Sequence, residues 1–270
     1  MHERILVLVD GSPFSEEVLP YAIGFARSTG AELVLLRVVS REAERAAAQR
    51  EIDALAAEIP AQAATVVVAD DPAGAILAEA GRRPGSLVAM SSQGRSGLLE
   101  AVLGSVAKSV VRASVEPVLL YRSRGAAASS RRHPIEIRGV LLPVDGNPES
   151  EAMAPVAAAL AKALDANLEV IQVILPGTQR IARGPTGEAR ESAYVQARAE
   201  DYQSRYGVRT SWKVLRGEPV DALTGHVGKR RDVVLAMATR GHRPLQELVL
   251  DSVTGGCLRE TGVPILARRP

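Results

Sequence analysis

The sequence predicts two α/β domains in tandem, each a parallel sheet flanked by helices. Three observations carry this. The chain has 270 residues, which suits two domains of roughly 100–200 residues each. Short apolar runs of strand length alternate with stretches of helical length and composition, the pattern of βαβ units. That pattern occurs twice, because the chain contains an internal repeat.

Each element of the first copy reads in order. Ile5–Val9 is an unbroken aliphatic run that ends in Asp10-Gly11, a turn pair. Pro13–Ser28 is expected to be helical, with Ser12 as its cap and Pro13 at the first helical position, where a missing N–H costs nothing. Glu32–Val38 reads as the second strand, Arg41–Glu58 as the second helix and Thr65–Ala69 as the third strand. Pro72–Gly81 is helical, Ser86–Met90 a strand, Ala101–Ala113 helical and Pro117–Tyr121 the fifth strand.

The second copy follows at a constant offset. Ile5 to Pro13 matches Val140 to Pro148, and Ala31, Leu33 and Val38 match Ala166, Leu168 and Val173, all 135 residues on. Pro72, Gly94 and Pro117 match Pro219, Gly241 and Pro264 at an offset of 147. Twelve further residues therefore lie between Val173 and Pro219. Leu175–Glu188, with two prolines and three glycines, is expected to hold most of them as an exposed loop. The second set of strands reads Arg138–Val144, Asn167–Ile174, Arg209–Val214, Asp232–Met237 and Pro264–Ala267. Ser123–Pro134 is small and polar without apolar periodicity. The expected division is residues 1–124, a linker 125–136, and residues 137–270.

Composition narrows the function. Aromatic residues are only 3% of the chain, so the cores are aliphatic and stacking platforms for single-stranded nucleic acid are scarce. The net charge of +2 provides no basic face, so Arg131-Arg132 and Lys229-Arg230-Arg231 read as solvated surface. Cys257 is alone, which suits a reducing compartment, and its apolar surroundings predict a buried, inert thiol. No apolar run is long enough to span a membrane and no signal peptide is legible, so a cytoplasmic location is expected.

In a parallel α/β sheet, ligands sit at the carboxyl ends of strands where the order reverses. Asp10-Gly11-Ser12 follows the first strand. Ser91-Ser92-Gln93-Gly94 follows the fourth, and Gly104-Ser105-Val106 opens the next helix. Glycines allow close backbone approach, and a helix start presents free N–H groups and the positive end of its dipole, which suits a phosphate. Each piece also has a plain structural reading. Asp10 can bond its own turn, Gly94 and Gly97 can serve turns, and Gly104-Ser105 can simply begin a helix.

The spacing Ser91-x2-Gly94-x9-Gly104-Ser105, together with Val9-Asp10-Gly11-Ser12, resembles the nucleotide motif of the universal stress protein family. The likeness covers both copies. It implies a flavodoxin-like fold of the adenine nucleotide alpha hydrolase-like kind, with strand order 3-2-1-4-5 in each half. It implies ATP, with or without magnesium, as ligand. Val9 and Asp10 would meet adenine or ribose, and the Val38 backbone the adenine edge. Met90 and Ser91 would line the floor, while Gly94, Gly104, Ser105 and Val106 would hold the phosphates. It further implies that the halves pair through their fifth strands as a pseudo-dimer, with further homodimerisation open.

This sequence departs from the motif at Ser91, where the family has glycine, and Gln93 takes a place often held by His. The second copy departs further, with Ala238-x2-Gly241-x9-Asp251-Ser252. A carboxylate at Asp251 caps the helix itself and repels phosphate. The second half is therefore expected to have lost its triphosphate site.

Catalysis has little support. There is no Gly-x-Ser-x-Gly elbow and no Walker loop, and His2, His133, His226 and His242 are scattered. An ATP-binding stress or signalling protein is the leading expectation. A nucleotide-free interaction module and a slow ATPase are the alternatives, and co-purified nucleotide would separate the first from the second.

Overall fold

A computed structural model of the protein describes residues 3–92, 103–122, 133–175, 185–239 and 253–269. The first half runs β1 (Arg4–Leu8), a 3-10 turn (Ser15–Val18), α1 (Leu19–Thr29), β2 (Glu32–Val39), α2 (Glu42–Glu58) and β3 (Ala63–Val68). It continues with α3 (Pro72–Gly81), β4 (Ser86–Ser91), α4 (Ser105–Ala113) and β5 (Val118–Tyr121). The second half runs β6 (Gly139–Val144), α5 (Pro148–Glu151), α6 (Ala154–Ala163), β7 (Asn167–Ile174), α7 (Pro185–Tyr206) and β8 (Thr210–Arg216). It ends with α8 (Pro219–Val227), β9 (Val233–Ala238), α9 (Val253–Glu260) and β10 (Ile265–Arg268).

The ten strands form one sheet of order β3-β2-β1-β4-β5-β10-β9-β6-β7-β8. Each half is parallel with the order 3-2-1-4-5, and β5 and β10 meet antiparallel at the centre. Leu119 pairs with Leu266 there, and the repeat makes these two residues equivalent, so a pseudo-twofold axis passes through that pair. The inner strands are apolar on both sides because both sides are covered, whereas the edge strand β8 is largely exposed. Ile5, Val7 and Val9 pack under α1 and α2, in a core that continues beneath α6 and α7. Leu6 and Leu8 face α3 and α4 across the sheet, in a core shared with α8 and α9.

Two local expectations need correction. The first helix does not open at Pro13. The Ser12 N–H donates to Asp10 Oδ1 at 2.8 Å and the Ser15 N–H to Ser12 Oγ at 3.3 Å, so a turn and a 3-10 segment precede α1. The inserted segment is not loop throughout, because Pro185–Glu188 lie in the first turn of α7, which reaches 22 residues against 17 for α2. The end of the expected linker lies on α1. The Ile135 N–H donates to the Pro20 carbonyl at 2.9 Å, and Ile137 is buried. A Cβ on Gly24 would stand 1.9 Å from the Ile135 oxygen, so only glycine lets the chain lie directly on α1.

Among the described residues, no helix is long and apolar enough to cross a membrane.

Candidate functional site

In the first half, β3 is followed by α3, which crosses the sheet so that β4 lands on the far side of β1. The order therefore reverses between β1 and β4, and a crevice opens past their carboxyl ends. Val9 is buried there, its N–H bonded to the Leu36 carbonyl at 3.0 Å. Asp10 and Val38 are half-buried beside it. Met90 and Ser91 close the end of β4 and are 6% and 7% exposed, so they form a floor rather than a rim.

The turn at Asp10 is tightly organised. Asp10 Oδ1 accepts the Ser12 N–H, and the Asp10 N–H donates to Ser15 Oγ at 3.1 Å. Gly11 has φ +83°, and a Cβ there would come within 2.9 Å of the Arg37 guanidinium. Both facts call for glycine. Arg37 is buried on β2, pairs with Glu51 of α2, and has an Nε without a hydrogen-bond partner among the described residues. Sequence reasoning missed Arg37. The signal was present, since it is the one charge inside the aliphatic run Leu33–Val39.

The start of α4 completes the crevice. The Gly104 N–H bonds the Ser92 carbonyl at 3.0 Å, which ties the helix start to the end of β4. Among the described residues no side chain caps α4. Its first N–H groups thus remain for another acceptor, at the positive end of the helix dipole. Gly104 has φ −62°, and among the described residues a Cβ there would meet only the Ser92 oxygen at 3.7 Å, an ordinary contact. Packing against the described residues does not demand this glycine. The chemistry of the crevice, apolar at Val9, Val38 and Met90 with free N–H groups at one end, fits a molecule with a flat apolar part and an anionic part. Val9, Asp10, Val38, Met90, Ser91, Gly104, Ser105 and Val106 all stand at this one edge of the sheet. Gly94 lies outside the described residues, as do Gln93, Gly241, Asp251 and Ser252.

The equivalent place in the second half is a cavity of about 300 Å³. Asp145, Val173, Met237, Ala238 and Val253 line it, and they match Asp10, Val38, Met90, Ser91 and Val106. Among the described residues its charged lining groups are Asp145 and Glu149, both acidic. The Asp145 carboxylate is approached by the Asn147 N–H at 3.1 Å, by Asn147 Nδ2 at 2.7 Å and by Ser150 Oγ at 2.6 Å.

No reactive group stands out elsewhere. Burial pushes the Cys257 thiol up to about 12, far from the range in which it would act as a nucleophile. Among the described residues, no three of His, Cys, Asp and Glu gather so as to hold a metal.

The sequence model of the universal stress protein family matches residues 1–122 and again residues 136–269. Universal stress protein YxiE of Bacillus subtilis is 33% identical over 149 residues, which is 45% of this chain and all of that protein. Universal stress protein Rv2005c of Mycobacterium tuberculosis is 31% identical over 191 residues, covering 68% of this chain but only 61% of its own length. A universal stress protein from Archaeoglobus fulgidus has the same fold over the whole chain, with a TM-score of 0.67 at 20% identity and 99% of its own length covered. With both halves matched by one family model, the chain belongs to the universal stress protein family and carries that family's domain twice.

Proposed function

We propose that the first half binds ATP in the crevice between β1 and β4, and that the chain works as a nucleotide-responsive module rather than as an enzyme. The observation that carries this is the start of α4, where Gly104 lacks a Cβ that its neighbours among the described residues would tolerate. A position kept open without a packing reason is suited to a ligand. In this reading Val9 and Asp10 meet adenine and ribose, the Val38 backbone meets the adenine edge, and Met90 and Ser91 form the floor. The phosphates lie on Gly94, Gly104, Ser105 and Val106. The second half holds no triphosphate, since Asp251 stands where the first half has Gly104 and would repel phosphate. The halves act as a pseudo-dimer through β5 and β10, and the chain works in the cytoplasm.

The test is calorimetric titration of the full chain with Mg-ATP. One site per chain is expected. Two equivalent sites would overturn the asymmetry. No binding would replace this reading with that of a nucleotide-free interaction module.

A further inference from the structure

A second cavity, of about 250 Å³, lies at the edge of the sheet opposite the first-half crevice. Its walls come from both halves, with Ile5, Phe25 and Leu87 on one side and Val156, Ala159 and Leu160 of α6 on the other. The pseudo-twofold axis explains why it exists. Tyr21 and Tyr121 fill the mate of this space, their ring centroids 5.0 Å apart and both side chains buried. The residues equivalent to them are Val156 and Arg268. The mate is also covered by the segment that lays Ile135 on Pro20 of α1. One side of the axis is thus packed with rings, while the other has lost the volume of those rings and gained a cation.

Arg268 and Glu116 both line this cavity. Ala267 pairs with Val118 in the antiparallel register, so Arg268 stands next to the start of β5, where Glu116 is exposed. Among the described residues no ion pair within 4.0 Å joins Arg268 to Glu116 or takes either of them elsewhere. A small, mostly apolar chamber of ring-sized vacancy, whose lining also includes one arginine and one glutamate, describes a complementary ligand. We propose that this cavity binds a free aromatic α-amino acid. The aromatic side chain takes the space that Tyr21 fills in the mate, Arg268 pairs with the ligand carboxylate, and Glu116 accepts the ammonium. The volume lies below the usual range for larger ligands, which restricts the site to one ring and its backbone groups. Because both halves supply its walls, the occupant would strengthen the joint at β5 and β10.

L-phenylalanine is the probe, with phenylacetate and phenethylamine as analogues that each keep one charge. Saturation-transfer NMR and thermal unfolding of the full chain read the binding. L-phenylalanine is expected to show transfer from the protein and to raise the unfolding midpoint. Each analogue should bind about tenfold more weakly, the loss of one charge-assisted contact. Val156→Tyr fills the chamber and should abolish binding while the protein stays folded. Where that variant does not fold, Arg268→Leu decides, and should weaken L-phenylalanine while leaving phenethylamine unchanged. Absence of transfer in the wild type, unchanged L-phenylalanine binding in a folded variant, or analogues that bind as tightly as L-phenylalanine would each overturn the proposal. ATP binding is not read in any of these arms, so the outcome is independent of the first-half site.

Discussion

At the turn after its first strand, the first half carries Arg37 against Gly11, whereas the second half carries Gln172 and has no described atom within 4 Å of where a Gly146 Cβ would stand. Both glycines keep a positive φ, +83° and +82°, so the turn itself is retained. What changed is the charge beside it. The carboxylate that follows each strand is retained too, and each takes the N–H two residues on, from Ser12 in one half and from Asn147 in the other, while the Asn147 side chain also bonds Asp145. Further out, Gly104-Ser105 faces Asp251-Ser252 in the sequence. A duplicated domain thus holds its backbone geometry and aliphatic core while the polar groups at its open edge diverge. The core is constrained by close packing on every side, and the edge is constrained by whatever binds there.

The sharpest way to break this comparison is to give the first half the second half's carboxylate. Gly104→Asp should lower ATP affinity about a thousand-fold, since like charges about 4 Å apart at a protein surface repel by about 4 kcal/mol. Stability without ligand should change by less than about 1 kcal/mol, because Asp caps a helix well and the Cβ meets only ordinary contact. Calorimetry and thermal unfolding check both. Unchanged affinity in a folded variant would mean that the start of α4 does not hold phosphate.

A second difference lies at the other end of β1. Arg4 and Glu79 form a buried ion pair at 2.7 Å, with Arg82 also on Glu79 at 2.8 Å. The equivalent positions hold Gly139 and His226, and His226 reaches Glu169 of β7 instead, at 3.2 Å. Each half thus fastens the helix after its third strand in its own way. Glu79→Ala leaves Arg4 buried without its carboxylate and should cost about 3 kcal/mol, read by denaturant unfolding. His226→Ala should cost less, since its partner Glu169 also has Arg230 at 3.9 Å. Equal losses would show that the two fastenings are interchangeable.

The smallest effect is expected at α1 and α6, which carry Gly24 and Ala159 at equivalent positions. Gly24→Ala gains helix propensity but drives a Cβ into the Ile135 carbonyl, so a net loss of about 2 kcal/mol is expected. Ala159→Gly should lose only about 1 kcal/mol, the propensity difference alone. A stabilised Gly24→Ala would mean that the docked end of the linker contributes nothing to the joint.

Much of the architecture is legible in the chain because it depends on neighbouring residues. Aliphatic runs such as Ile5–Val9 and Leu33–Val39 predict doubly covered strands, and their repetition at a constant offset predicts two copies. The strand order was not legible in that way and came from the family resemblance. Val9, Asp10, Val38, Met90, Ser91, Gly104, Ser105 and Val106 each end or follow a strand or open a helix, so their position along the chain alone puts them toward the carboxyl ends of the strands. Helix boundaries were less readable at Pro13, where side-chain bonds from Asp10 and Ser12 compete with helical ones. Arg37 escaped notice because its partner Glu51 lies a helix away. The seat of Ile135 on Gly24, and the ring pair Tyr21–Tyr121 with its unfilled mate at Val156 and Arg268, join residues about a hundred positions apart. Periodicity carries no information about such pairs. The ring pair is decided by packing within the first half, and the chamber at Val156 and Arg268 is closed only when the antiparallel register of Leu119 on Leu266 brings the two halves together.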